Sequence, residues 1–449
     1  MRLSTGEHKI FYALLFPALI ETVLSRVFVI ADSIMLGQME NSTLAVAAVG
    51  LCASPINLIV AVTSNFFIGT TSAVAWYYGA GEKEKMRTVA WQSMGLALVV
   101  ASLFSLFSVV FAGSIMGFVC GDGETLALAA SYYKINAYGF FFHILTMNIS
   151  AILRGIGVTR LPMLYNLTGG VLNVVLNYLL IYGVWGFPEL RSDGAAWATT
   201  ISKGVSLVFA LGVLLFTGTE VGHRLGVGKK LDKSIKTRLL PIGITAACEQ
   251  LVLQIGALMT AKIIAVLPTT HIAANQIVAN MEGFAWATGS ACQTASTSLF
   301  GRSLGENNVP KAKSYLKLSV CWTVGFAAVE MVAFTLGGNT LAALFSNDVT
   351  LYPLISTMLI LAALALPFIN VHQTVSGALR SAGDSVAPLI ASLVSLWVFR
   401  VVLGYLTVSV LDLGMYAYRW CIVADQAVRC AIVCGFYLSG HWKKKALRD

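Results

Sequence analysis

Charged residues are scarce in this sequence. They make up 11% of 449 residues, against 57% hydrophobic, with a mean hydropathy of +0.78. A soluble globular chain carries about a quarter of its residues as charges, so a water-borne domain is excluded and a polytopic membrane protein is indicated. Chemistry-bearing motifs are also missing: there is no CxxC pair, HExxH, GxSxG or paired intramembrane aspartate motif. These absences argue against a metal centre or a nucleophilic enzyme, and no enzyme or cofactor is expected. No filter-like loop interrupts the apolar runs, which argues against a channel. The eight cysteines lie mostly inside apolar runs and read as packing residues. The first 36 residues lack a small-residue cleavage site, so the first apolar run is expected to persist in the mature chain.

What is abundant is long hydrophobic runs. A spanning helix needs about 20 apolar residues at about 1.5 Å each. Such runs occur near 10–36, 44–78, 89–117, 125–156, 162–184, 194–217, 239–266, 270–300, 312–337, 351–379, 386–410 and 416–440. The expected fold is an all-α polytopic protein with twelve transmembrane helices.

The net charge of +9 does not form an aromatic-interleaved patch, so no nucleic-acid partner is expected. The basic residues mark topology instead. Lys83, Lys85 and Arg87 follow span 2; Arg154 and Arg160 follow span 4; Arg224, Lys229, Lys230, Lys233, Lys236 and Arg238 follow span 6. Arg302, Lys311, Lys313 and Lys317 follow span 8, Arg380 follows span 10, and Lys443, Lys444, Lys445 and Arg448 close the chain. The opposite loops hold only Arg191. The positive-inside rule then puts both termini in the cytoplasm, for a multi-pass protein of the cytoplasmic membrane.

A polar, basic linker at 219–237 divides the chain into 1–218 and 238–449, six spans each. LRGIGVTRLPM from Leu153 and LRSAGDSVAPL from Leu379 share Leu, Arg, Gly and Pro at an offset of 226. Pro17 and Pro241, and Gly81-Glu82 and Gly305-Glu306, recur at an offset of 224. This pattern predicts two pseudo-symmetric six-helix bundles sharing one orientation, with substrate handled between them. Pro17 and Pro241 each remove a helical hydrogen bond and are candidate bends, either static kinks or hinges.

Asp32 lies deep in the first span. An aspartate near a helix centre costs about 2.5 to 3.5 kcal/mol on insertion scales, and its neighbours Phe28, Val29, Met35 and Leu36 offer it no charge partner. It is a candidate for exchanging a proton or binding a small cation. Glu21 and Arg26 on the same span read as a structural pair. Glu282 and Glu330 also read as structural, as do the lone histidines His143 and His372.

An early proline and late DSIMLG in span 1, GAGEKEKMRT after span 2, LRGIGVTRLPM, NVVLNYLLIYG and GAAWAT together resemble the multidrug and toxic compound extrusion (MATE) family across essentially the whole chain. The resemblance implies a secondary antiporter that exports lipophilic, mostly cationic organic compounds against H⁺ or Na⁺ by alternating access. It also implies an N-terminal cation site, matched by motif to Asp32, Asn173, Asn177 and Thr199. Asn173 and Asn177 share a helix face at i,i+4. With Asp32 and Thr199 they supply either an oxygen cage for Na⁺ or amides to bond a protonated carboxyl.

Some members carry a second carboxylate where this chain has Asn177. Glu249 matches the family's span-7 glutamate, but no acid occurs between Tyr352 and Arg380 in span 10; Asn370, His372 and Gln373 are the nearest polar residues there, and Asp384 lies in the following corner. Glu249 is therefore a candidate second coupling site, a docking point for cationic substrate, or a charge neutralised by Lys203 or Arg400. The expected partners are the bilayer and small organic cations, for a protein acting as a monomer. The alternative function is a flippase for lipid-linked saccharides, whose cavity would draw on Arg26, Lys134, Lys203, Lys262, Arg400, Arg419 and Arg429.

Overall fold

In a computed structural model the chain is almost wholly helical. The structure describes residues 3–39, 42–120, 123–216, 221, 232–345 and 348–446. Most of the 219–237 linker, with Arg224, Lys229 and Lys230, lies outside the described residues, as does Arg448.

The first half comprises α1 (Thr5–Gly37), α2 (Ser42–Phe66), α3 (Ile68–Gly79), α4 (Lys83–Val110), α5 (Ala112–Cys120), α6 (Glu124–Gly155), α7 (Arg160–Tyr182) and α8 (Arg191–Phe216). The second comprises α9 (Leu240–Ile264), α10 (Thr269–Gly305), α11 (Val309–Leu336), α12 (Gly338–Phe345), α13 (Tyr352–Ser381), α14 (Val386–Ser395), α15 (Gly414–Ser439) and α16 (Trp442–Ala446). Spans 2 and 11 are each built from more than one piece: α2 runs into α3, and α14 continues to Val410 through wide π turns.

Among the described residues, eleven helical segments are long and apolar enough to cross a membrane. The twelfth run, expected near 270–300, does form a helix, α10, but its apolarity falls short. It carries Asn275, Gln276, Glu282, Gln293 and many Ser and Thr residues. Most of these are tolerated because α10 packs against α11 and α13 inside its own unit, where polar groups meet protein instead of lipid; Gln276 is exposed.

The chain divides into two compact units, Val23–Gly243 and Met1–Thr22 with Ile244–Asp449. One boundary falls inside α1 and the other inside α9. In the N-terminal unit α6 is central, packed against α2, α3, α4, α5 and α8, around buried Tyr133, Phe140 and Tyr165. The π turn Ile235–Leu239 that leads into α9 belongs to this unit: Arg238 stacks over Trp76 at 3.8 Å, and Tyr77 donates to Ser234 Oγ at 2.6 Å. Pro241 therefore sits at the handover from π to α geometry, where a missing N–H costs least. In the C-terminal unit α10 and α13 are central, and the start of α1, at Phe11, Leu14, Leu15 and Ala18, packs on Ala291, Ala295 and Leu299. α1 is continuous through Pro17.

The repeated corners close in the same way. Val158 N–H donates to Leu153 O and Gly157 N–H to Arg154 O; Asp384 N–H donates to Leu379 O and Gly383 N–H to Arg380 O. Each is a Schellman cap, with Gly157 at φ 86° and Gly383 at φ 83° in the left-handed region. The corners after α3 and α10 are a second such pair, but their left-handed residues are Gly81 (φ 74°) and Asn307 (φ 55°). The structural register is thus 226 at both pairs of corners. The Gly81-Glu82 and Gly305-Glu306 match of the sequence is two residues out, because cap geometry, not the dipeptide, defines the equivalent position.

Candidate functional site

The C-terminal part of α1 lies against α7. Gly170 leaves room for the Phe28 ring, which a Cβ there would meet at 2.2 Å, and the Tyr182 hydroxyl donates to Met35 O at 2.9 Å. α7 in turn meets α8 at Gly169, where a Cβ would strike Ser206. These contacts fix three helices around Asp32. Asn177 Nδ2 donates to Asp32 Oδ1 at 2.6 Å. Asn173, with its amide nitrogen turned toward Asp32, donates to Oδ1 at 2.9 Å and to Oδ2 at 3.3 Å, while its oxygen accepts from Thr199 Oγ1 and Thr199 N–H at 3.2 Å. The structure thus brings Asp32, Asn173, Asn177 and Thr199 together.

Asn177 is fully buried and Asn173 nearly so, whereas Asp32 is half-buried. Asp32 is thus less enclosed than the two amides that bond it. It is held by amides, not by an ion pair. The charge it senses through space is Lys203 of α8, which lies four residues after Thr199 and so on the same helix face. That spacing was available in the sequence, where Lys203 counted only as one basic residue among several.

Glu249 is placed differently. Its Oε2 accepts from Arg380 Nη2 and its Oε1 from Ser392 Oγ at 2.8 Å, with both charged side chains buried. The neutralising cation is Arg380, not Lys203 or Arg400. Arg380, read from sequence as a loop charge, is only 5% exposed. Further pairs surround it in the same unit. Asp425 binds Arg429 at 2.8 Å and Arg400 at 2.9 Å, and Glu282 binds Arg419 at 2.7 Å. Asp384 is held by Lys445 at 2.8 Å. His372 is buried and surrounded by the fields of Arg429 and Arg380, and His143 by that of Lys203. Glu21 is buried and Arg26 exposed. All eight cysteines are free. Among the described residues no group of three or more His, Cys, Asp or Glu is arranged to hold a metal.

A family model described as MatE matches the chain twice, at residues 17–179 and 241–406. This chain belongs to the MatE family. The two matches begin at Pro17 and Pro241. A probable multidrug resistance protein NorM from Thermotoga maritima is 28% identical over 431 residues, covering 96% of this chain and 92% of that protein. The multidrug resistance protein PmpM of Pseudomonas aeruginosa is 26% identical over 414 residues, covering 89% and 84%. Among solved structures, a MOP superfamily transporter from Pyrococcus furiosus, described as having a binding pocket of reverse polarity, superposes with a TM-score of 0.90 at 23% identity, covering 97% of this chain and 96% of that one. An outward-facing MATE transporter superposes at 0.89, with 98% and 97% covered. These likenesses establish the fold. MATE proteins are membrane transporters and not enzymes, and this chain is a multi-pass member of that class.

Proposed function

We propose that this MATE protein is a secondary antiporter of the cytoplasmic membrane, with both termini cytoplasmic. It exports lipophilic, mostly cationic organic compounds in exchange for H⁺ or Na⁺, by alternating access between two six-helix halves acting as a monomer. The observation that carries this reading is Asp32, an acid in a spanning helix that, among the described residues, is bonded by neutral amides and by no cation. A carboxyl not bonded to a cation is free to take up and release an ion. Loading Asp32 favours one arrangement of the halves and substrate favours the other, and each ligand shifts the population only by its differential affinity. Pro17 and Pro241 serve as bending points, a role supported by the unit boundaries that fall within a few residues of each.

With the Asn173 amide nitrogen facing Asp32, both amides aim N–H donors at it and bond its ionised carboxylate; a protonated Asp32 would need an amide oxygen to accept its hydrogen. A Na⁺ ion requires oxygen ligands, so Asn173 and Asn177 would have to turn over and present Oδ1. The names of the NorM and PmpM relatives support drug-like substrates. A flippase would draw on seven basic residues, of which Arg400, Arg419 and Arg429 are each bound to an acid and so less available to a pyrophosphate.

Proteoliposomes loaded with an ethidium-like cation, with a pH gradient and a Na⁺ gradient imposed separately, test the proposal. One of the two gradients is expected to drive efflux in the wild type, and neither in Asp32→Asn. Equal gradient-driven efflux from Asp32→Asn would show that the coupling site lies elsewhere.

A further inference from the structure

Among the described acids of α9 to α15, Glu330 is a membrane acid outside the arginine–carboxylate network. Glu330 of α11 is half-buried, and its partners are a hydroxyl and an amide. Thr288 Oγ1 of α10 lies 2.7 Å from Oε1, and Asn370 Nδ2 of α13 donates to Oε2 at 3.1 Å. Glu249, Glu282 and Asp425 in the same unit each bind an arginine; Glu330 binds none among the described residues. Its surroundings reproduce the chemistry around Asp32, with an amide and a hydroxyl in place of a cation.

Each contact around Thr288 carries a hydrogen of its own when a proton is added. Thr288 has one hydroxyl hydrogen, yet its oxygen stands within bonding distance of two acceptors, Ala285 O at 2.8 Å and Glu330 Oε1. With Glu330 ionised, one of those contacts has no hydrogen. With Glu330 protonated on Oε1, the acid donates to Thr288, Thr288 donates to Ala285 O, and Asn370 donates to Oε2, so each contact carries one hydrogen. An acid without a cation in an apolar setting is stabilised in this neutral form. A second sign is Asn370 Oδ1, fully buried and without a hydrogen-bond partner, and lying 2.7 Å from where a Cβ on Gly289 would stand. Gly289 thus lets the Asn370 and Gln373 side chains approach α10 beside Thr288.

We propose that Glu330, with Thr288 and Asn370, forms a second proton-binding site, confined to the C-terminal unit. Among the described residues, the thiol of Cys292 on α10 senses its charge, and α1, which packs on α10 and α11, carries buried Glu21 next to Thr22, whose hydroxyl donates to Ala287 O at 3.1 Å. On α13, His372 and Arg380 belong to the cluster around Glu249 and Asp425, and α12 carries no titratable residue. The site has no twin in the other half, because the 226-residue register puts Phe104 at the matching position. Use of this proton as a second exchanged ion rests on the antiporter reading. The existence of the site does not.

Infrared spectra of the full chain in lipid nanodiscs test it, recorded from about pH 5 to about pH 8 with and without tetraphenylphosphonium. A protonated-carboxyl stretch is expected that persists in Asp32→Asn, disappears in Glu330→Gln and changes when the cation is added. Glutamine presents the same shape, donating to Thr288 and accepting from Asn370, so Glu330→Gln should melt as the wild type does. Thr288→Val, which removes the acceptor for the acid proton, should move the band to higher frequency. A spectrum that Glu330→Gln leaves unchanged across that range overturns the proposal. A band that vanishes in Glu330→Gln but ignores the cation overturns the exchange role. Failure of Asp32→Asn to alter transport would strike the antiporter reading alone.

Discussion

Asp32 and Glu249 are both acids within predicted spans, and the structure gives them opposite surroundings. Asp32 in the N-terminal unit takes its hydrogen bonds from the amides of Asn173 and Asn177. Glu249 in the C-terminal unit is engaged on both oxygens, by Arg380 and Ser392, inside a group of further arginine–carboxylate pairs. A buried guanidinium and carboxylate are committed to each other, because removing either partner strands the other in a medium that solvates it poorly. An amide tolerates the acid in either protonation state. Residue type and depth do not therefore decide whether a membrane acid exchanges an ion. The partner decides.

The largest expected effect separates the two acids. Asp32→Asn should lower gradient-driven efflux by roughly tenfold or more while changing stability by less than about 1 kcal/mol, since asparagine can still bond its neighbours. Glu249→Gln should do the reverse, costing about 3 to 5 kcal/mol through the stranded Arg380. Efflux assays alongside thermal melts of the purified protein read both quantities. Similar profiles for the two variants would remove the distinction.

Replacing the whole pair sharpens it. Glu249→Met with Arg380→Met should recover most of the stability lost in Glu249→Gln, because an apolar pair of similar volume is often neutral or better than a buried ion pair. A double variant no more stable than the single one would mean that the network around His372 and Asp425 depends on Arg380 itself.

A packing contact provides a control within the N-terminal unit. A Cβ on Gly69 would lie 2.4 Å from Leu239 O and 2.9 Å from Gly243 N, both backbone atoms. Gly69→Ala should cost about 1 to 3 kcal/mol by overpacking, seen as a lower melting temperature with Asp32 chemistry intact. The smallest effect belongs to Asp232, at the described end of the linker. Ser234 bonds its carboxylate through side chain and backbone N–H, the latter at 2.8 Å, and holds its pKa below the usual aspartate value. The stabilisation is present above the unfolded pKa of about 3.9 and disappears as pH falls through the lower folded value. Asp232→Asn should thus differ slightly from wild type at neutral pH and match it in strong acid, as a melting series across pH would show.

Much of this was legible in the residues. Apolar runs located the spans, and the corner motifs revealed the duplication, because the Leu-Arg and following Gly of each corner are the groups that build a Schellman cap. The polar set around Asp32 was matched through family motifs and the i,i+4 spacing of α7. Less legible was α10, whose polar residues make sense only beside α11 and α13. The pairing of Arg380 with Glu249 was hidden as well, since a loop-end arginine and a buried one look alike in a chain read one residue at a time. Glu330 passed as structural for the same reason: Thr288 and Asn370 lie 42 and 40 residues away.

By itself the sequence determined the helical class, the approximate span positions, the internal repeat and the presence of acids in apolar runs, since length, periodicity and cap residues act over a few positions of chain. Only the tertiary structure decided which of those acids are locked to arginines and which rest on amides and hydroxyls. Those partners are brought together by packing between distant helices, and the free energy of a buried carboxyl depends on the groups within a few ångströms of it, not on its neighbours along the chain.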